Sequence, residues 1–107
     1  MTDGNYILDS NGNPVVEEDL LTWAKWLEDA AYNGKRRVDE TMIGDIRVST
    51  VFLGLDHSFG GGPPLIFETM VFGGELNQEM DRYSTKTQAL KGHQLMCERV
   101  KKANESQ

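Results

Sequence analysis

The chain has 107 residues, with 17 Asp and Glu against 11 Lys and Arg, so its formal net charge is -6 at pH 7. This acidic balance argues against direct binding to nucleic acid or to an anionic membrane, since both attract clustered positive charge. A single cysteine excludes an intramolecular disulfide framework.

The sequence has no apolar run of the length that crosses a bilayer, and it lacks the basic start and apolar middle of a signal peptide. We therefore expect a cytoplasmic protein without a membrane partner. Composition and length favour a single domain over residues 1–107, with flexible ends at 1–5 and 103–107.

The first predicted element is a short hairpin. Tyr6 to Leu8 has the composition of a strand, and the pair Asn11-Gly12 tolerates the positive φ angles that a tight turn needs. Pro14 to Val16 is then expected to return as a second short strand or to lead directly into a helix.

Glu17 to Asn33 gives the clearest helical pattern. Three acids at 17–19 fall in the predicted first turn, where the helix dipole favours negative charge. Trp26 lies off the apolar stripe, so it either covers the edge of the core or, if exposed, offers a contact to a partner. The apolar residues recur every three or four positions and predict one buried face: Leu20, Trp23, Ala24, Leu27, Ala30 and Ala31.

Three or four strands are predicted next. Residues 37–43 alternate and suit a sheet edge, whereas 45–55 and 64–72 carry apolar residues at both parities. That pattern predicts two central strands with both faces covered. Gly44 and Asp45 should form the first turn, and Met80 to Tyr83 is a candidate fourth strand.

The last helix is predicted to begin at Ser84 or Thr85, because Thr85 and Gln88 match a capping box. Its apolar face contains Ala89, His93, Met96, Cys97 and Val100. The element order β-α-β-β-β-(β)-α predicts an α+β fold, in which a three- to four-stranded antiparallel sheet carries two helices packed on one face.

Four polar residues lie within or just after the predicted central strands or on the predicted last helix. The fold could bring their side chains together. Imidazoles with carboxylates are typical ligands of zinc or iron, although no helical ligand spacing supports such a site. The alternative is a buried His93 bonded to a backbone carbonyl, with Glu68 facing solvent or paired with Arg47; no cofactor is then required. The candidate ligands are Asp56, His57, Glu68 and His93.

The segment 59–64 is Phe-Gly-Gly-Gly-Pro-Pro, and Gly60, Gly61 and Gly62 could let the backbone approach a ligand or cradle an anion. No Lys-Ser/Thr follows, which excludes a P-loop, and a sharply bent connection is the simpler interpretation. The sequence has no Gly-x-Ser-x-Gly element that would supply a nucleophilic serine. Cys97 is expected to be a small buried side chain. We therefore predict that the protein is not an enzyme.

The stretch from Val48 to Gly74, VSTVFLGLDHSFGGGPPLIFETMVFGG, resembles a small family of proteins from tailed phages and prophages. The segments 82–85, 89–93 and 6–15 are similar to the same family, so the resemblance covers most of residues 6–100. The family has no established activity, so the resemblance implies a phage or prophage setting and the cytoplasm of a bacterial host. Similar members have acids early in the last helix, where this chain has Lys86, Gln88 and Lys91.

These observations predict a small acidic binding protein that contacts a host or phage protein, as an inhibitor of host defence or of nucleic-acid handling. Clustered carboxylates can imitate phosphates and raise the association rate. Two alternatives stay open: a metal-binding protein or metal-assisted hydrolase using His57 and His93, and a homodimer built on an open sheet edge or on Trp26. The predicted contact groups are Glu17, Glu18 and Asp19 with Glu28 and Asp29, or Asp39, Glu40 and Asp45, together with an exposed Trp26.

Overall fold

The computed structural model describes residues 4–58 and 61–105. The elements are β1 (Tyr6–Leu8), β2 (Pro14–Val16), α1 (Leu20–Tyr32), β3 (Arg37–Ile43), β4 (Ile46–Phe52), β5 (Phe67–Phe72), β6 (Met80–Tyr83) and α2 (Lys86–Glu105). β1 and β2 form a two-stranded antiparallel sheet, and the other strands form a four-stranded antiparallel sheet in the order β3-β4-β5-β6. The predicted α+β class is confirmed.

β4 and β5 lie at the centre of the larger sheet, as their apolar composition predicted, and β3 forms an edge. Gly44 has a φ of 61° in the turn between β3 and β4, a conformation that glycine adopts without strain. Met80–Tyr83 pairs with β5 as the fourth strand, at the predicted bounds.

The core lies between this sheet and α2, which crosses all four strands. Val48, Thr50 and Phe52 alternate along β4 with their side chains on this side of the sheet, and each is fully buried. Met96 and Val100 of α2 pack on the β4 end that carries Ile46, while Ala89 packs near Phe52.

The start of α2 confirms the predicted capping box. The Gln88 N–H donates to Thr85 Oγ1 at 3.1 Å, and Gln88 Oε1 accepts from the Ser84 and Thr85 N–H groups at 3.0 and 3.2 Å. At its other end α2 continues to Glu105, so residues 103–105 belong to the helix. Near the start of the chain, Asn5 forms a β-bridge with Leu55.

α1 begins at Leu20, three residues later than predicted, and packs on β1 and at one end of the sheet. The Trp23 Nε1–H donates to the carbonyl of Gly54 at 2.9 Å, and the Trp26 ring meets Phe52 edge-on with 5.8 Å between centroids. The prediction of one broad buried face is wrong for Leu20, Ala24 and Ala31, which are exposed. A helix that touches only the end of a sheet buries a narrower side than one lying across it.

The prediction that both faces of the central strands are largely covered holds fully for one face only. α2 covers that face, whereas no helix among the described residues lies on the other, where Phe72 of β5 is 39% exposed. Met42 and Met80 of the two edge strands are 58% and 37% exposed on the same side. Strand register and alternation define this open sheet face as Arg37, Glu40, Met42, Arg47, Ser49, Val51, Glu68, Met70, Phe72, Met80 and Arg82.

Candidate functional site

The strongest candidate contact region lies around the start and outer side of α1. Asp19 is the N-cap residue, so the acids at 17–19 precede the helix instead of filling its first turn. The Asp19 N–H donates to Glu17 Oε2 at 3.1 Å, and the Thr22 hydroxyl donates to Asp19 Oδ2. We call this region the acidic α1 surface; it consists of Glu17, Glu18, Asp19, Leu20, Leu21, Glu28 and Asp29.

None of the five carboxylates on the acidic α1 surface forms an ion pair within residues 4–58 and 61–105. Residues 17–29 contain these five acids and Lys25, for a formal charge of -4 out of the -6 of the whole chain. Leu20 and Leu21 are 57% and 79% exposed beside them. The surface therefore combines uncompensated negative charge with accessible apolar area.

The second predicted acidic group, Asp39, Glu40 and Asp45, is arranged differently. Glu40 lies between two bases, with Arg37 at 3.1 Å and Arg47 at 3.9 Å, so its charge is locally compensated. Asp39 accepts a hydrogen bond from the Glu40 N–H at 2.8 Å, and its other oxygen lies 3.7 Å from His93 Nε2. This group presents less uncompensated charge than the acidic α1 surface.

Trp26 is half-buried against Phe52, which confirms the prediction that it covers the edge of the core. Part of its ring lines a surface depression of about 450 Å³ together with Leu8 and Lys35. The ring thus packs α1 against the core and also faces this depression.

His93 lies at the centre of a buried polar network between α2 and the sheet. Its Nδ1 is 2.7 Å from the Thr50 hydroxyl and its Nε2 is 2.9 Å from the Thr41 hydroxyl. The Thr50 hydroxyl also meets that of Thr69 at 2.5 Å. Side-chain hydroxyls, and not the expected backbone carbonyl, thus satisfy both ring nitrogens of a side chain that is only 3% exposed.

The four residues predicted as possible metal ligands occupy separate places. Glu68 accepts from Arg82 Nε at 3.0 Å, so its partner is Arg82 and not Arg47; the register pairs Glu68 with Arg82 directly across β5 and β6. His57 and Asp56 lie beyond the end of β4, while His93 lies in the buried polar network between α2 and the sheet. Among the residues that the structure describes, no group of three or more His, Cys, Asp or Glu side chains could hold a metal ion.

Asp56 closes the long β4–β5 connection. Its Oδ1 accepts from the N–H groups of Ser58 and Leu65 at 2.8 and 2.9 Å, and its Oδ2 accepts from the Ser58 hydroxyl at 2.9 Å. Burial by itself raises the pKa of Asp56, but these hydrogen bonds and the nearby His57 outweigh it and bring the pKa below its ordinary value.

The glycine-rich segment is described only in part. Gly61 and Gly62 are exposed with φ angles of 94° and 91°, a region that glycine tolerates, and Gly60 lies outside the described residues. These angles are consistent with the bent connection that the sequence suggested as the simpler interpretation.

Asp56→Asn is expected to lower the free energy of unfolding at pH 7 by about 1 to 2 kcal/mol, because an amide cannot accept all three hydrogen bonds. The pKa of Asp56 is lower in the folded state than its value of 3.8 in the unfolded chain. Such a carboxyl stabilises the fold at pH values above the unfolded pKa, and this contribution disappears as the pH falls through the folded pKa. Urea unfolding of both proteins from pH 7 to about pH 2.5 should therefore show the difference shrinking.

Asp45→Asn is the matched control, since Asp45 is an exposed turn residue, and we expect it to change the free energy of unfolding at pH 7 only slightly. If the free energy of unfolding of Asp56→Asn stays below that of wild type by the same amount down to the lowest pH, the charge of Asp56 is not the cause of the difference.

Sequence reasoning missed the exposed leucines of the acidic α1 surface. The available signal was an excess of apolar residues: Leu21 and Trp26 lie outside the predicted stripe, and 13 helical residues cannot bury every apolar side chain against one contact.

No helix within residues 4–58 and 61–105 has the length and apolar character needed to span a membrane. Comparison with protein-family models, with curated proteins and with solved structures found no match.

Proposed function

We propose that this chain is a small phage- or prophage-encoded binding protein that docks its acidic α1 surface on a basic surface of a host protein, and so inhibits host defence or nucleic-acid handling. The observation that supports this most directly is the set of five carboxylates with no ion-pair partner among the described residues, beside two exposed leucines.

The charge distribution favours a partner with a basic surface. The acidic α1 surface concentrates about two thirds of the net charge within 13 consecutive residues, -4 of -6. Such a local field attracts positively charged sites and accelerates their association, mainly at low ionic strength. A channel that holds phosphates is one such site, and carboxylates compete there with the natural anion.

The exposed leucines favour a protein partner over a simple ion. Leu20 and Leu21 lie at the start of α1, immediately after the acids, so a partner that contacts the carboxylates also reaches this apolar area. Full burial of an exposed leucine contributes about 1.5 to 3 kcal/mol of favourable transfer free energy, from which the costs of association are subtracted. Charge would then mainly set the association rate, and the leucines would mainly set the dissociation rate.

The test compares two variants of equal charge. E17Q/E18Q removes two acids from the acidic α1 surface, and E98Q/E105Q removes two exposed acids from α2, so both change the net charge from -6 to -4. Immobilised wild-type protein captures partners from a bacterial extract, and binding kinetics of each purified partner are then measured at about 50 mM and about 200 mM salt.

We expect E17Q/E18Q to lower the association rate constant by about tenfold at the lower salt concentration, and less at the higher one. E98Q/E105Q should bind like wild type, and Leu21→Ser should mainly accelerate dissociation. The captured partner should also lose affinity for a short DNA duplex in the presence of wild type. Equal behaviour of the two double variants, or binding that does not change with salt, would refute the proposal.

A further inference from the structure

We propose that a depression beside the end of α1 binds the phosphate group of a small phosphorylated molecule. The depression has a volume of about 310 Å³, and Ala31 and Gly34 at the end of α1 line part of it. It shares no residue with the acidic α1 surface, so this inference does not rest on the proposed function. We call it the arginine pocket, after its polar lining of Arg36, Arg37, Arg47 and Ser49.

Contacts within the chain already hold two of the three guanidinium groups in place. Arg36 donates from Nε to the Phe52 carbonyl at 3.0 Å and from Nη2 to the Leu53 carbonyl at 3.3 Å. Arg47 lies with its Cζ 4.3 Å from the centre of the Phe72 ring. Guanidinium groups that are held in this way lose less side-chain freedom when they bind an anion.

Ser49 provides independent evidence that the pocket receives a ligand. Its side chain is 8% exposed, and its hydroxyl forms no hydrogen bond within residues 4–58 and 61–105. Among these residues the enclosed side-chain polar atom without a partner is Tyr83 Oη, so the Ser49 hydroxyl still reaches solvent in the pocket. Hydroxyls of largely buried side chains normally have a partner, and a phosphate oxygen in the pocket can accept this hydrogen bond.

The charge of the arginine pocket favours a dianion. Glu40 lies 3.1 Å from Arg37 and 3.9 Å from Arg47, so three arginines and one glutamate leave a formal charge of +2. Lys35 and Lys86 line an adjacent depression that also includes Arg37, and they extend the positive field. A phosphate monoester carries a charge of about -1.5 to -2 at pH 7, and planar guanidinium groups bind its oxygens in pairs.

The end of α1 and the size of the pocket also fit such a ligand. The Lys35 N–H donates to the Ala30 carbonyl at 2.8 Å, and Asn33 Nδ2 donates to the Asp29 carbonyl at 2.9 Å. These hydrogen bonds occupy carbonyl groups that would otherwise give the helix a negative end. A volume of about 310 Å³ is at the lower end of the range for small-molecule sites and suits a small phosphorylated compound.

The test is a titration of the labelled protein followed by amide N–H signals in NMR spectra, which also report whether each variant folds. The probes are inorganic phosphate and adenosine monophosphate, and sodium chloride at equal ionic strength is the reference. Arg47→Gln removes one cation from the pocket. Arg99→Gln is the matched control, because Arg99 is similarly exposed, 46% against 43% for Arg47, and belongs to α2 on the other side of the sheet.

The amide signals of Gly34 and Ser49 should shift with phosphate and saturate, with a dissociation constant of about 1 mM or lower. Arg47→Gln should raise this constant about tenfold and Ser49→Ala about threefold, whereas Arg99→Gln should leave it unchanged. Glu40→Gln should lower it about threefold, because the substitution removes a carboxylate that competes with phosphate for two arginines. Tighter binding of adenosine monophosphate than of phosphate identifies a nucleotide as the ligand, and equal binding identifies phosphate itself.

Shifts that sodium chloride reproduces at equal ionic strength would overturn the proposal, since they would report an adventitious ion only. Equal weakening by Arg47→Gln and Arg99→Gln, or tighter binding without the Ser49 hydroxyl, would overturn it as well. E17Q/E18Q should not weaken phosphate binding, although it should slow association with the basic partner. Failure of this inference and failure of the proposed function can therefore be told apart.

Discussion

His93→Ala is expected to lower the free energy of unfolding by about 3 to 5 kcal/mol, one of the two largest effects of a single substitution that we expect in this chain. The imidazole is 3% exposed and lies in the middle of the core face of α2. Its removal leaves a cavity and takes the hydrogen-bond partner from the Thr41 hydroxyl, whereas Thr50 keeps its contact with Thr69.

His57→Ala is the control, because His57 is half-buried near the end of β4 and forms no side-chain hydrogen bond within the described residues. We expect it to change the free energy of unfolding by no more than about 0.5 kcal/mol. Urea unfolding with and without a chelator measures both variants. The double variant H93A/T41V should lose less free energy of unfolding than the two single variants lose together. The reason is that Thr41→Val removes the hydroxyl that His93→Ala leaves without a partner.

The same two histidine variants test the metal hypothesis. Elemental analysis of wild type, His57→Ala and His93→Ala should detect no stoichiometric metal that depends on both histidines. One equivalent of zinc or iron that disappears in both variants would contradict our interpretation of His93 as a structural residue.

Gly92→Ala is expected to lower the free energy of unfolding by about 2 kcal/mol, although alanine is favoured over glycine inside a helix by about 1 kcal/mol. A Cβ at position 92 would lie 2.2 Å from Cζ and from the hydroxyl oxygen of Tyr83. Tyr83 packs against the cluster of Phe52, Ile66, Phe67 and Ala89, so its ring cannot withdraw without loosening that cluster.

A double-mutant cycle separates the steric effect from helix propensity. In the background of Tyr83→Ala the obstacle is absent, so Gly92→Ala should become stabilising by about 0.5 to 1 kcal/mol. Urea unfolding of the four proteins gives the coupling energy. A Gly92→Ala effect of the same sign in both backgrounds would show that Tyr83 is not the reason for glycine at this position.

The sequence predicted the elements well where periodicity and local chemistry act within a few residues. β3 and β6 have the predicted bounds, and Thr85 and Gln88 form the capping box that their spacing indicated. The apolar character of residues 46–52 and 67–72 placed β4 and β5 at the sheet centre. These features depend on backbone hydrogen bonds and alternation, which the order of residue types specifies directly.

The candidate sites were harder to predict because they depend on which surfaces meet. The apolar residues of α1 indicated a helix, but the sequence could not show that its contact is the end of the sheet, which leaves Leu20 and Leu21 exposed. The acids of β3 and of α1 look equivalent in the sequence. Only the fold brings Arg47 near Glu40, while the α1 acids form no ion pair in the described structure.

The sequence by itself therefore determined the α+β class, the strand order at the centre and the acidic character of the chain. The tertiary structure decided that His93 binds threonine hydroxyls, that Glu68 pairs with Arg82, and that one face of the sheet stays open. The physical reason is that burial and charge compensation depend on partners far apart in the chain. Local sequence patterns fix what an element is, but packing between elements fixes which of its sides a partner can reach.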